Sequence, residues 1–390
     1  ELTPGFSGIT DVAGAYSTQV GGGIATFHGK GGTKVQVDGM GVQHGSGSTG
    51  YMINAATVQE MTIQTSGISA ESTADGAVIN FIPRQGGNTF SGSILGLYTN
   101  DRLQSNNLSD KLRDRGLKTV NRNLKIYDAT ITFGGPIKKD KLWFFTAQRE
   151  WGNAHTVAGL YWNKTQGTPF YTPDLSRPAD RYQWYESHAF RVTWQASQKH
   201  QLNFFSDFQD ACICRSSSAI GTAPEAAYAY HFRGLRPQGL HQVTWNAPLT
   251  NKLLLEAGYS AVITSWPNDL APGVTRNDIS ITEQSNGFVY NARPTYNNDR
   301  QEAPRYTERF SVSYVTGSHA IKAGFQNEQA RSSTITRANG DVNYAFNNGE
   351  PVQITQYATP YAQEVRIKAD LGVFVQDQWR IQRLTLNYGL

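Results

Sequence analysis

After residue 88, apolar and polar residues alternate one for one along much of the chain. In 188–196, His188, Phe190, Val192, Trp194 and Ala196 share one face, and Ala189, Arg191, Thr193 and Gln195 share the other. In 200–209, Leu202, Phe204 and Phe208 oppose Gln201, Asn203, Asp207 and Gln209, with Phe205 as an intruder on the polar side. The pattern recurs in 252–263, where Leu253, Leu255, Ala257 and Tyr259 oppose Lys252, Glu256 and Ser260, and in 309–315 and 320–328. It ends the chain, where Leu384, Leu386, Tyr388 and Leu390 alternate with Thr385, Asn387 and Gly389. Only strands place successive side chains on opposite faces, so helical spacing cannot produce this. Eleven strands are predicted, near 90–99, 126–134, 142–151, 188–196, 200–211, 239–247, 252–265, 306–315, 319–330, 369–379 and 383–390. Residues 1–88 differ. They are rich in Gly, Ser, Thr and Ala, with short strands predicted at 34–38, 58–65 and 77–83.

The connections are lopsided. Short turns fall near 136–141, 197–199, 248–251, 316–318 and 380–383, and long links occupy 101–125, 154–187, 213–238, 267–304 and 331–368. Short turns at one end and long loops at the other is the asymmetry of an outer-membrane barrel. A soluble propeller or sandwich would have more uniform connections and a visible repeat. Composition agrees. The chain is 38% hydrophobic and 17% charged, both below soluble averages, with 38 glycines in 390 residues and 12% aromatics. No run approaches the roughly 18 apolar residues of a transmembrane helix, which leaves strands free to cross a membrane. The net charge of +4 is scattered, so no nucleic-acid partner is expected. An odd count of strands leaves open edges, which lipid cannot tolerate. The eleven strands are therefore expected to be part of a larger wall continued beyond Leu390.

Specific motifs sharpen this. Val37-Asp38-Gly39 is followed by Val58-Gln59-Glu60-Met61-Thr62-Ile63, then Gly76-Ala77-Val78-Ile79-Asn80, then Gln85-Gly86-Gly87-Asn88-Thr89-Phe90-Ser91-Gly92. This order resembles the second half of the plug of TonB-dependent outer-membrane receptors, in the Oar-like and SusC-like branch. Phe133-Gly134-Gly135-Pro136-Ile137-Lys138-Lys139-Asp140-Lys141-Leu142-Trp143-Phe144-Phe145 resembles that branch's second and third strands, and Val375-Gln376-Asp377-Gln378-Trp379-Arg380 a mid-barrel hairpin. The resemblance implies an all-β transmembrane antiparallel barrel with the plug segment in its lumen, where about 22 strands are usual. It implies a plug part over 1–88, with Asp38, Gly39, Gln59 and Glu60 in its motif, and the first half of the barrel over 89–390. It also implies a non-enzymatic receptor or transporter of the outer membrane, moving a scarce ligand or bulky cargo by plug rearrangement. Its partners would be the energy-coupling protein TonB, outer-membrane lipid, an unknown ligand and a surface lipoprotein. The same architecture serving surface assembly or adhesion without active transport is the alternative. The family's first plug half and coupling box would precede Glu1.

No catalytic constellation, cofactor motif or metal-ligand spacing stands out. Cys212-Ile213-Cys214 admits a metal or redox pair, a local loop disulfide, or pairing with other cysteines. Tyr161, Trp162, Tyr228 and Tyr230 are the candidate ligand-stacking aromatics of the outer loops. Trp184, Tyr185 and Trp266 are expected in an interfacial aromatic girdle. Residues 107–116 carry a helix start and a Gly stop, predicting a short helix in the first outer loop.

Overall fold

A computed structural model describes residues 6–7, 26–27, 32–47, 51–66, 69–72, 76–214, 221–231 and 238–390, with main chain only at 6–7, 26–27 and 228–231. Two sheets dominate it. The smaller, inner sheet is built from β1 (Lys34–Val37), β2 (Met40–Gly41), β3 (Val58–Gln64) and β4 (Val78–Pro83), in the order β2-β1-β4-β3. β1 and β4 run parallel, and the other pairs are antiparallel.

The larger sheet is a wall of eleven strands paired in chain order. They are β5 (Ser91–Asn100), β6 (Asn123–Lys138), β7 (Leu142–Asn163), β8 (Pro173–Ser197), β9 (His200–Cys214), β10 (Gly239–Pro248), β11 (Leu253–Ile263), β12 (Arg305–Thr316), β13 (His319–Arg337), β14 (Tyr361–Ile381) and β15 (Leu384–Gly389). Every neighbouring pair is antiparallel, which lets hairpins of a few residues join β6–β7, β8–β9, β10–β11, β12–β13 and β14–β15 at one end. Among the described residues β5 and β15 pair on one side only. The eleven expected strands are all present, but several run further than the alternation signals.

The expected structureless link 154–187 is largely strand. β7 and β8 continue past the bilayer-facing stretch and leave only residues 164–172 between them. The links after β11 and β13 carry a second small sheet, ordered Phe288–Tyr290, Ser280–Glu283, Val342–Asn347, Glu350–Gln356. Ile281, Tyr290 and Phe346 bury a core there with Ala223, and Tyr171 packs on it. Tyr290 donates to the Pro169 carbonyl (2.9 Å), and the Asn291 side chain accepts from the Gly167 amide (3.0 Å). Four outer loops thus form one stitched cap. The first outer loop holds a short helix, Asp110–Asp114.

The two faces of the wall obey the period-2 reading. Phe190, Trp194, Phe204, Phe208, Tyr259 and Tyr314 point outward and are exposed, whereas Arg191, Thr193, Asn203 and Asp207 point inward and are buried. The intruder Phe205 is explained by what lies inside. Val37, Val42 and Tyr51 from the inner segment pack against Ala147, Ala189, Phe205, Leu240 and Val262 of the wall in one core. The inner face is therefore partly a protein core.

The same fact corrects the girdle expectation. Tyr185 is buried on the inner face, its ring 4.2 Å from that of Trp151, and Trp266 packs on this cluster with Met52. Trp184, on the alternate face, points outward. A row that the sequence reading did not single out lies at the hairpin end. Trp194, Trp245 and Trp379 share the outward face, with His200 stacked on Trp245 and His319 on Trp379. Amphipathic rings are favoured at that depth.

Phe205→Ala is expected to cost about 3–5 kcal/mol, the usual range for emptying a core Phe site. Phe204→Leu, on the outward face, should be close to neutral. Urea titration of the full-length protein in detergent checks both.

Candidate functional site

The junction of the inner sheet and the wall concentrates the buried polar chemistry. The turn between β1 and β2 consists of Asp38 and Gly39, both with positive φ (49° and 74°). Two wall arginines close on it. Arg191 of β8 meets the Asp38 carboxylate at 2.6 Å. Arg309 of β12 donates to the carbonyls of Asp38 and Gly39, both at 3.0 Å. From within the inner sheet, the Asn80 side chain accepts from the Gly39 amide at 2.8 Å. A Cβ on Gly39 would lie 2.4 Å from Arg309 Nη1, so a larger residue would push the guanidinium off the turn, and the φ of 74° favours glycine as well.

A second fastening is fully buried. Tyr51 donates to Asp207 Oδ2 (2.6 Å), and Ser187 donates to Asp207 Oδ1 (2.7 Å). Asn54 donates to Ser187 (3.0 Å). Gln209 donates to Asp207 (2.9 Å) and to the Met52 carbonyl (2.6 Å), and it accepts from Tyr185. A buried carboxylate is tolerated when its lone pairs are filled, and here three donors fill them.

Two further regions of contact belong to the junction. The Gly45 amide donates to the Ala303 carbonyl (2.8 Å), and a Cβ at Gly45 would sit 2.3 Å from the Arg331 carbonyl oxygen. Beside it the His44 ring lies 4.8 Å from Trp266. Burial, then the charge of Arg305, hold the His44 pKa down to about 4. At residues 69–71 the contacts are polar. Lys322 pairs with Glu71 (2.7 Å) and Glu256 (3.6 Å), and Gln376 accepts from Ser69 (2.8 Å) and the Ala70 amide (3.0 Å).

The sequence-predicted residues scatter across this picture. Asp38 and Gly39 form the clamped turn, whereas Gln59 and Glu60 lie exposed on β3. Trp162 is buried, with the Arg177 guanidinium 4.8 Å over its ring, so its face is taken. Tyr161 is half-buried, and its carbonyl accepts from Tyr171 (2.7 Å). It lines a cavity of about 430 Å³ with Lys118 and Arg122. The main chain of Tyr228 and Tyr230 forms a strand, Tyr228–His231, paired with Cys212–Ile213 and Asn268–Leu270, and their side chains lie outside the described residues. Cys212 and Cys214 are joined in a local disulfide. Sequence reasoning missed Arg309 and Tyr51. Arg309 was visible only as a polar position, and Tyr51 follows a Gly/Ser-rich run with no periodic signal.

A wall of hairpin-linked antiparallel strands with short turns at one end, a cap of loops at the other and a small sheet clasped on its inner face is an arrangement shared with outer-membrane receptor barrels. The chain has the fold of the TonB-dependent outer-membrane receptors. It resembles the alcaligin outer-membrane receptor FauA from Bordetella pertussis (TM-score 0.59, 13% identity, 99% of this chain and 50% of that one). It also resembles the outer membrane transporter YddB from Escherichia coli (TM-score 0.58, 12% identity, 94% and 49%). A third likeness is the ferric enterobactin receptor PfeA from Pseudomonas aeruginosa (TM-score 0.57, 13% identity, 99% and 53%). In sequence it is 37% identical over 91 residues to the TonB-dependent transporter Oar of Myxococcus xanthus, covering 23% of this chain and 8% of that protein. No family model matches. The chain spans about half the length of the solved relatives and a small part of Oar. These relatives are receptors and transporters rather than enzymes, and their architecture belongs to the outer membrane.

Arg191→Ala is expected to cost about 3–5 kcal/mol, since it strands Asp38 without its buried partner. The depressed pKa of His44 gives a signed pH dependence. The unfolded state, with a pKa near 6.5, binds a proton that the folded state refuses until about 4. Stability from this group is thus present above 6.5, falls as pH drops from 6.5 to 4, and is level below. The His44→Gln variant should show a shallower loss over that window in urea titrations.

Proposed function

We propose that the chain is part of an active outer-membrane transporter, with residues 1–88 forming the C-terminal part of a plug and 89–390 half of the barrel around it. The observation that carries this reading is the clamp on the Asp38–Gly39 turn. Arg191 and Arg309 reach it from β8 and β12, which β9, β10 and β11 separate in the wall. An inner sheet held that way spans the lumen instead of lying beside a sheet. The two wall edges that are unpaired among the described residues call for further strands, because edge amides facing lipid lack partners. The hairpin end then faces the periplasm and the loop cap faces outside.

In this reading the cap and the half-buried Tyr161 face the ligand, which approaches from outside. The plug blocks the lumen until the inner-membrane protein TonB pulls on it. The cargo is a scarce or bulky ligand, as the ferric enterobactin and alcaligin named for two relatives illustrate for those proteins. The test has two arms. The full-length protein should sediment with outer membranes and run as a folded band that shifts on boiling. The purified periplasmic domain of TonB should capture it from detergent extract. A boiling-sensitive outer-membrane band that TonB fails to capture would favour the adhesion or assembly role, and a detergent-independent soluble protein would end the barrel reading.

A further inference from the structure

The hairpin end of the wall carries an unbalanced charge. Its five connections occupy residues 136–141, 197–200, 248–252, 317–319 and 380–383. Lys138, Lys139 and Lys141 crowd the first, and Lys199 and Lys252 sit in the next two. Arg380 and Arg383 flank the last turn, and the fourth connection adds only His319. Against these seven cations stands one carboxylate, Asp140, which accepts from the Asn88 side chain (2.5 Å). All seven cations are exposed, and among the described residues none of them makes an ion pair. Asp377, three residues before Arg380, is already engaged. His319 lies 2.6 Å from its Oδ2, and Tyr388 donates to the same oxygen (2.7 Å).

The cations lie at the level of the outward tryptophan belt and just beyond it. Lys138 stands opposite Leu142, Leu142 opposite Trp194, Trp194 opposite Leu202 and Leu202 opposite Trp245, in one cross-strand row. Arg380 directly follows Trp379. Rings of that kind settle where hydrocarbon gives way to headgroups. The turns past the belt then reach the phosphate layer, and long Lys and Arg stems carry the charge further into it. Strands are spaced so that successive hairpins stand about 10 Å apart. The charge therefore follows the rim of the wall instead of gathering in one patch. A folded protein partner would engage a patch, whereas a leaflet touches the whole rim. Exposed basic groups without counter-charges are attracted to an anionic membrane surface.

We infer that this rim binds a lipid surface, the anionic phospholipid headgroups of the leaflet at the hairpin end, with the ammonium and guanidinium groups meeting phosphate diesters. The inference rests on the membrane-spanning reading above.

The probe is the full-length protein in vesicles of phosphatidylcholine and phosphatidylglycerol, with spin-labelled lipids of both headgroups reporting which one the protein surface retains. Retention of phosphatidylglycerol should exceed that of phosphatidylcholine severalfold. Potassium chloride should shrink the excess, because salt screens exposed charges. Changing Lys138, Lys139, Lys141, Lys199 and Lys252 together to Gln should remove most of it and leave the boiling shift intact. If that variant gives no folded band, the three changes in the β6–β7 hairpin alone carry the test and should remove part of the excess. Equal retention of the two lipids by the folded wild-type protein overturns the inference and leaves the rim to a soluble acidic partner. An excess that the folded variants keep overturns it too, since the anion would then be held elsewhere. A wild-type protein that neither shifts on boiling nor enters the vesicles takes down the membrane-spanning reading as well, so the two failures are told apart.

Discussion

Every main-chain amide that faces lipid has to find its partner within the protein, because no water is present to replace it. For a sheet this means strands long enough to cross, paired edge to edge without interruption, which is what β5–β15 supply. The constraint fixes the backbone and leaves the side chains a choice of two faces. The outward face answers to lipid, hence Phe190, Phe204 and Phe208. The inward face answers to whatever fills the lumen. In this chain it answers to a folded sheet, so it holds arginines and carboxylates where that sheet offers polar groups and Ala, Leu and Phe where it offers Val and Tyr.

That division explains what could be read from sequence. Lipid contact imposes strict alternation, so the strand count, the hairpins and the inward placing of Arg191, Asn203 and Asp207 were legible. The alternation carries no information on the upper parts of β7 and β8, where both faces meet protein or water, and Gly159, Pro173 and Pro178 break the pattern. In sequence those stretches therefore look like loop. Tyr185 and Trp266 were misplaced for a related reason. An aromatic near the end of a strand suits a membrane interface, but it suits a buried inner core equally, and composition cannot choose between them. Phe205 shows the reverse, a break in alternation that marks the spot where the inner sheet presses on the wall.

The outer end follows a different rule. Loops of this length are costly to order unless they bury something together. Four of them share one core around Ile281, Tyr290 and Phe346, and the parallel pairing of Ser280–Glu283 with Val342–Asn347 joins loops that the chain separates by two wall strands. Glu283 adds a fixed charge to this cap. The Ser285 hydroxyl and amide, with the amides of Asn348 and Gly349, hold its carboxyl near a pKa of 2. A surface organised by such contacts presents one shape to the outside, a requirement for selecting a ligand.

The clamp on the inner sheet reads main chain more than side chain. A turn with two successive positive φ angles points the Asp38 and Gly39 carbonyls the same way, and the planar fork of Arg309 takes both at once. The Val-Asp-Gly motif is conspicuous in the sequence only by its resemblance, and its partner stands 271 residues further on with nothing local to announce it. Such a contact has a mechanical consequence. Two arginine side chains have to let go, Arg191 of the Asp38 carboxylate and Arg309 of both carbonyls, before the turn can leave the wall. Residues 69–71, by contrast, are held by one ion pair and the side chain of Gln376.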